Sequence, residues 1–137
     1  MFKKIMVPVD LRHEHGSDRA VAVAADMGKH YGAEVQLVSV TGTGPNLVAK
    51  NPEEYADKLT RFAQARTSRH GVDMIPHTET SNDVSVELDN VLSDSAEKIG
   101  ADLVVMASHV PGLAEHVFAS NAGYLASHAS MSVMVVR

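Results

Sequence analysis

The chain has no cysteine and no tryptophan. Without thiolates it can build neither a disulfide frame nor a cysteine-ligated zinc site. Aromatic residues are sparse, three Tyr and three Phe, which leaves few platforms for stacked bases. Positive charge is in deficit, with 12 Lys and Arg against 17 Asp and Glu for a formal charge of −5, and neither end carries a basic cluster. A nucleic-acid partner held by phosphate neutralisation is therefore not expected. Long apolar runs are missing as well. No segment approaches the roughly 20 residues needed to cross a bilayer, so no membrane partner is expected. The N-terminal run Ile5-Met6-Val7 is cut by Pro8 and Asp10, too short for the apolar part of a signal peptide. The expected location is the cytoplasm.

What remains is enough for one core. The length of 137 residues suits a single domain over 1–137, and a hydrophobic content of 45% supports it. There is no internal repeat, low-complexity tract or linker. The apolar pattern alternates between two periods. Lys4 to Val9, Glu34 to Val40, Asp102 to Met106 and Ser132 to Val136 read as strands, the third of these as the clearest buried one. Val72 to Thr78 is a weaker strand, and Pro76 within it points to a sheet edge.

Between the strands the apolar residues recur at helical spacing. Gly16-Ser17-Asp18 supplies cap chemistry for a helix from Ala20 to Tyr31, stopped by Gly32. Pro52 opens a second helix to about Arg69, with Tyr55, Leu59, Phe62 and Ala63 on one face and His70-Gly71 at its end. Asn82 or Asp83 caps a third, carrying Val86, Leu88, Val91, Leu92 and Ile99 up to Gly100. Ser120 caps a fourth, reaching about Ala129. Thr41 to Pro52 reads as a loop or lid, and Ser108 to Phe118 as a loop around Pro111-Gly112. Five strands joined by four helical crossovers predict an α/β fold: an open, doubly wound parallel sheet with helices on both faces.

In such a sheet, ligands bind beyond the carboxyl ends of the strands, where strand order reverses. Two exits qualify, Pro8-Val9-Asp10 and Ala107-Ser108-His109. If their strands are neighbours, Asp10 and Ser108 face one crevice. The Asp10 carboxylate can accept hydrogen bonds from an adenine amino group or ribose hydroxyls; it can equally act as a cap or turn residue.

These residues carry a family resemblance. Ile5-Met6-Val7-Pro8-Val9-Asp10, then Ala101 to His109, Ser120-Asn121-Ala122 and Ser132 to Arg137 resemble the opening and the last third of universal stress proteins. The likeness spans the chain in element order and is weak from Thr41 to Ser81. It implies strand order 3-2-1-4-5 and a homodimer joined through the last strand, 132–136. In the nucleotide-binding branch, ATP or another adenine nucleotide, with or without Mg2+, lies across the strand ends. Carried over, Asp10 would contact adenine and Val40 would meet it through backbone groups. Ala107, Ser108 and His109 would line the ribose and phosphate path, and Ser120 and Asn121 would offer a hydroxyl and backbone amides to phosphate. Helix capping explains Ser120-Asn121 equally well.

The branch's glycine signature, Gly-x2-Gly-x9-Gly followed by Ser or Thr, lets backbone amides approach phosphate. Here Ala107 and Ala119 stand at the first and third glycines, and Leu11-Arg12 replaces the Gly-Ser that often follows the first Asp. The Ala-Ser-His-x-Pro run resembles a sub-branch of the family.

Eight histidines raise the question of a metal. His13 and His15 flank Glu14 in one loop, and His109 and His116 lie in another, but no ligand motif joins them, and exposed loop histidines are the expectation. His77 and His128 are expected to satisfy local hydrogen bonds. Adjacent Ser108 and His109 do not make a nucleophile and base, and there is no Gly-x-Ser-x-Gly elbow. The expectation is a cytoplasmic, homodimeric, nucleotide-binding regulator in stress response, acting with a protein partner and not as an enzyme. Two rivals stand beside it: a dimeric interaction protein that has lost the nucleotide site, and a nucleotide-using hydrolase or transferase.

Overall fold

The computed structural model describes residues 1–108 and 117–137, with side chains described outside 117–121. Five strands, β1 (Lys4–Pro8), β2 (Glu34–Gly42), β3 (Met74–Ser81), β4 (Leu103–Ala107) and β5 (Ser132–Val136), alternate with four helices, α1 (Asp18–Tyr31), α2 (Pro52–His70), α3 (Val84–Ile99) and α4 (Val117–His128). All neighbouring strands run parallel, in the order β3-β2-β1-β4-β5. Order reverses at β1, whose neighbours are β2 and β4. This is the doubly wound α/β sheet that the alternation predicted.

The strands read as continuous apolar runs because both faces of the sheet are covered. Ile5, Val7, Val35, Leu37, Leu103 and Val105 point into a core shared with α1 and α2. Their alternates Met6, Val38, Val104 and Met106 pack with Leu88, Leu92, Ala96 and Leu125 of α3 and α4. The start of β1 is tied down by Asp102, whose carboxylate accepts from the backbone N–H groups of Lys3 and Lys4 at 2.9 and 3.1 Å.

Local signals set the helix ends. The Asn51 side chain accepts from the Glu54 amide at 2.8 Å, with Pro52 behind it, and the Asp83 side chain caps α3 through the Val86 amide. Of the two expected caps for α3, Asp83 is the one used. Glycine closes α1, where Gly32 has φ +65°, a left-handed conformation that costs glycine no Cβ clash. Pro76 lies on β3, an edge strand, where its missing N–H leaves no ladder bond unmade.

Several expectations need correction. Residues Leu11–Ser17 are not a plain connection but short 3-10 turns broken at His13 (φ −139°, ψ 68°). Gly16 and Asp18 do not cap α1; Ser17 stands at the cap position without a side-chain cap bond, and its buried Oγ has no partner among the described residues. The third strand begins at Met74 and runs to Ser81, and β2 reaches Gly42, because the two pair over eight residues, from Val35–Met74 to Gly42–Ser81. Val86, expected on the apolar face of α3, is 74% exposed. It stands two residues from both Val84 and Leu88, which face the core, and so falls on the opposite side of the helix. Helix α4 begins at Val117, so Ser120 lies inside it and is not its cap, and the loop expected to reach Phe118 ends sooner.

Candidate functional site

Strand β1 ends at Pro8, and the chain turns away at Asp10. Val9 still donates to the Val38 carbonyl at 2.9 Å, which keeps the β1 exit against β2. The Val9 carbonyl accepts from Ser39 Oγ at 2.7 Å. Ser39 Oγ in turn lies 2.6 Å from Tyr55 Oη of α2. Burial pushes the Tyr55 phenol above its ordinary value, against the hydrogen bond to Ser39. The residue just before Asp10 is thus fixed from two sides.

At this exit a narrow crevice opens between β1, β2 and α3. Pro8, Val9 and Asp10 line one wall, Val38 and Val40 another, and Val84, Leu88 and Leu92 of α3 form an apolar floor. An apolar-lined crevice with one carboxylate at its mouth suits an apolar ring edge that also carries a hydrogen-bonding group. The same Asp10 caps the 3-10 segment. Its Oδ1 accepts from the Arg12 amide at 3.0 Å, and the Arg12 guanidinium returns to both carboxylate oxygens, with Nη2 2.8 Å from Oδ2. That hydrogen bond with Asp10, opposed by partial burial, raises the Arg12 guanidinium further above its already high value. Arg12 also lines a wider open groove between the 3-10 segment and α2, in which Glu14 is the carboxylate beside the cations Lys58, Arg61 and Arg66.

Of the residues singled out in the sequence, Pro8, Val9, Asp10 and Val40 come together in one wall system. Ala107 and Ser108 stand at the neighbouring exit. The β1–β4 register pairs Ile5 with Leu103 and Met6 with Val104, an offset that carries Asp10 level with Ser108. The Ser108 amide donates to the Val136 carbonyl at 2.9 Å, and Ala107 is buried. Neither lines the crevice. His109 lies outside the described residues, as do His116 and the side chains of Ser120 and Asn121.

Among the described residues no group of three or more His, Asp and Glu is placed to share a metal ion. His15 Nδ1 lies 3.0 Å from Asp18 Oδ2. His128 meets the Tyr124 carbonyl at 3.0 Å and stacks on its ring, a local bond of the kind expected for it.

Sequence reading missed Arg12, the α3 floor and the Tyr55–Ser39 link. For Arg12 a signal existed: an aspartate at a strand end with arginine two residues on is the spacing of a side chain folding back over its own cap.

The family model of the universal stress protein family matches residues 1–137. The chain belongs to the universal stress protein family. Universal stress protein G of Shigella flexneri is 30% identical over 145 residues, with all of both chains covered. Among solved structures, a universal stress protein in complex with cAMP superposes with a TM-score of 0.72 at 15% identity, covering 99% of this chain and 97% of the other. The universal stress protein of Archaeoglobus fulgidus in complex with dAMP gives 0.70 at 18%, covering 98% of each. At these identities the likeness speaks for the shared fold. The strand order of this universal stress protein is the one its sequence resemblance implied. No helix among its described residues is long and apolar enough to cross a membrane.

Proposed function

We propose that this universal stress protein binds an adenine nucleotide in the crevice at the β1 and β2 exits and acts as a homodimeric regulator in stress response. The observation that carries the reading is the crevice itself, an apolar slot at the topological switch point with the Asp10 carboxylate at its mouth. Its support from outside the chain is that two proteins of the same fold hold cAMP and dAMP, both adenine nucleotides. In this reading Asp10 accepts from the adenine amino group, Pro8 and Val9 form the wall beside it, and Val40 presents backbone groups. Ala107, Ser108, His109, Ser120 and Asn121 carry the ribose and phosphates. ATP, with or without Mg2+, is the nucleotide proposed.

The 1–137 domain is read as a cytoplasmic module that signals through a protein partner, and no catalytic role is assigned. Dimerisation is proposed through β5, an edge strand whose Met134 and Val135 are 37% and 42% exposed. Two-fold pairing of that edge would hide its open backbone groups. A second reading, a dimeric interaction module without nucleotide, is favoured by Ala107 and Ala119 where the branch has glycine.

Thermal unfolding of nucleotide-free protein decides between the two. A ligand at 100 times its dissociation constant stabilises the fold by about 2.7 kcal/mol. ATP or AMP should therefore raise Tm by several degrees, and Asp10→Ala should reduce that rise. No shift with millimolar ATP, ADP or AMP would leave the interaction module.

A further inference from the structure

The crevice mouth, as it stands, offers a ligand the opposite of what a lone aspartate would. A carboxylate has about four acceptor positions. At Asp10 three N–H groups of one residue cover both oxygens: the Arg12 amide reaches Oδ1 at 3.0 Å, Nη2 reaches Oδ2 at 2.8 Å, and the single Nε–H is shared between them at 3.1 and 3.2 Å. A guanidinium carries five N–H donors. Those bonds occupy the Nε–H and one Nη2–H, so the rest of the fork has no partner among the described residues. Arg12 itself lines the crevice. The face that meets a ligand at the β1 exit is therefore a donor face backed by a carboxylate whose two oxygens are both engaged.

We propose that Arg12 is the specificity-determining residue of the crevice, a latch over Asp10 that admits bases bearing a hydrogen-bond acceptor and taxes those bearing a donor. The inference rests on the crevice being the nucleotide site and names which bases it takes. A 6-amino purine must displace the guanidinium before its amino group reaches Asp10. A 6-oxo purine accepts directly from the free Arg12 donors and leaves the ion pair intact. The latch is able to open, because the Arg12 side chain is 50% exposed against 13% for Asp10. The groove beyond, which Arg12 also lines, gives a guanidinium that swings out an open, solvated space with Glu14 in its wall beside Lys58, Arg61 and Arg66. Without Arg12 the bare carboxylate would favour the 6-amino group and repel the 6-oxo oxygen.

Calorimetric titration of nucleotide-free wild type and Arg12→Ala with AMP and with inosine monophosphate tests this. Wild type should bind the two within a few-fold of each other. In Arg12→Ala the AMP constant should tighten and the inosine monophosphate constant weaken, raising the AMP preference at least about tenfold, since one hydrogen bond is gained and one lost. Arg12→Lys keeps the charge but not the bidentate fork; it should fall between, and it carries the test should the alanine variant not fold. Binding with an unchanged preference in both variants would overturn the latch while leaving the nucleotide site standing. Absence of binding by either nucleotide to wild type and variants alike would overturn the site, and the latch with it.

Discussion

Tyr55 Oη and Ser39 Oγ lie 2.6 Å apart, both out of reach of solvent. Because Ser39 donates to the Val9 carbonyl at 2.7 Å, its oxygen must accept from Tyr55, and the chain of donors has one direction. It runs from α2 through β2 to the β1 exit, one residue before Asp10. The position of the crevice mouth therefore depends on a phenol located on another element.

That phenol gives the protein an alkaline limit. Burial raises its folded-state value above the ordinary 10.0, so the neutral form is favoured by folding. The stability it contributes is complete below about pH 10 and is lost as pH rises through the folded value. Tyr55→Phe should cost about 1 kcal/mol at neutral pH, the worth of one buried hydrogen bond. Urea unfolding at pH 7 and pH 11 should show this gap narrow at the higher pH. A gap that widens would mean the phenol is stabilised as its anion.

At the other end of the scale, Asp18 accepts from Arg66 Nη2 and meets His15 Nδ1, each at 3.0 Å. Burial pushes its carboxyl up, but the hydrogen bonds from His15 and Arg66 outweigh this and hold it below 3.8. Its contribution is present above the unfolded value and disappears as pH falls through the lower folded one. Asp18→Asn should be destabilised by up to about 1 kcal/mol near pH 6. Parallel urea titrations should find the two proteins converging by about pH 2. Equal stability at both pH values would show that the pair contributes nothing.

Gly28 sits inside α1, where alanine is ordinarily favoured by about 1 kcal/mol. Here a Cβ would lie 2.9 Å from Val35 Cγ2 and 3.3 Å from the Ala33 carbonyl oxygen. Val35 is fully buried and stiff at χ1, so it cannot yield. Gly28→Ala should lower Tm, and Val35→Ala in the same chain should cost less than the two changes summed. Strict additivity in that double-mutant cycle would place the strain elsewhere.

The proposed dimer has its own test in β5. Val135 is 42% exposed on the edge strand. Val135→Lys adds a charge and a long side chain there, which opposes edge pairing. Light scattering at micromolar concentration should find wild type as a dimer and Val135→Lys shifted toward monomer. A monomeric wild type would remove the interface from consideration.

Much of the scaffold was legible residue by residue. Met6 and Val7 face opposite sides of the sheet, yet both are buried, and an unbroken apolar run is what two covered faces require. Pro76 marked its edge. Boundaries were less legible where pairing outvoted composition: Glu79 is a weak strand former and the run has lost its apolar residues, but β2 extends far enough to pair with Glu79, Thr80 and Ser81. The turns at Leu11–Ser17 escaped notice because their polar residues have no apolar period. Asp10 and Val9 stand at the strand end and Val40 was implied by the family resemblance; Leu88 and Leu92, expected on the apolar face of α3, also floor the crevice.

The sequence by itself determined what acts within a turn or two of the chain. Asn51 and Asp83 cap their helices, Gly32 closes α1, and Pro8 and Asp10 end β1, because cap bonds and backbone conformations are decided by neighbours. Family membership was legible for the same reason, carried by short runs at the two ends. Only the tertiary structure decided that α3 lies under the β1 exit, that Tyr55 reaches Ser39, and that Arg12, closed over Asp10, stands at the crevice. The first two join residues far apart in the chain, and local preference carries no information about them. They are set by which crossover brings which apolar face onto the sheet. The third spans two residues, and its spacing is a local signal; what the fold added is the crevice beside it, which both Asp10 and Arg12 line.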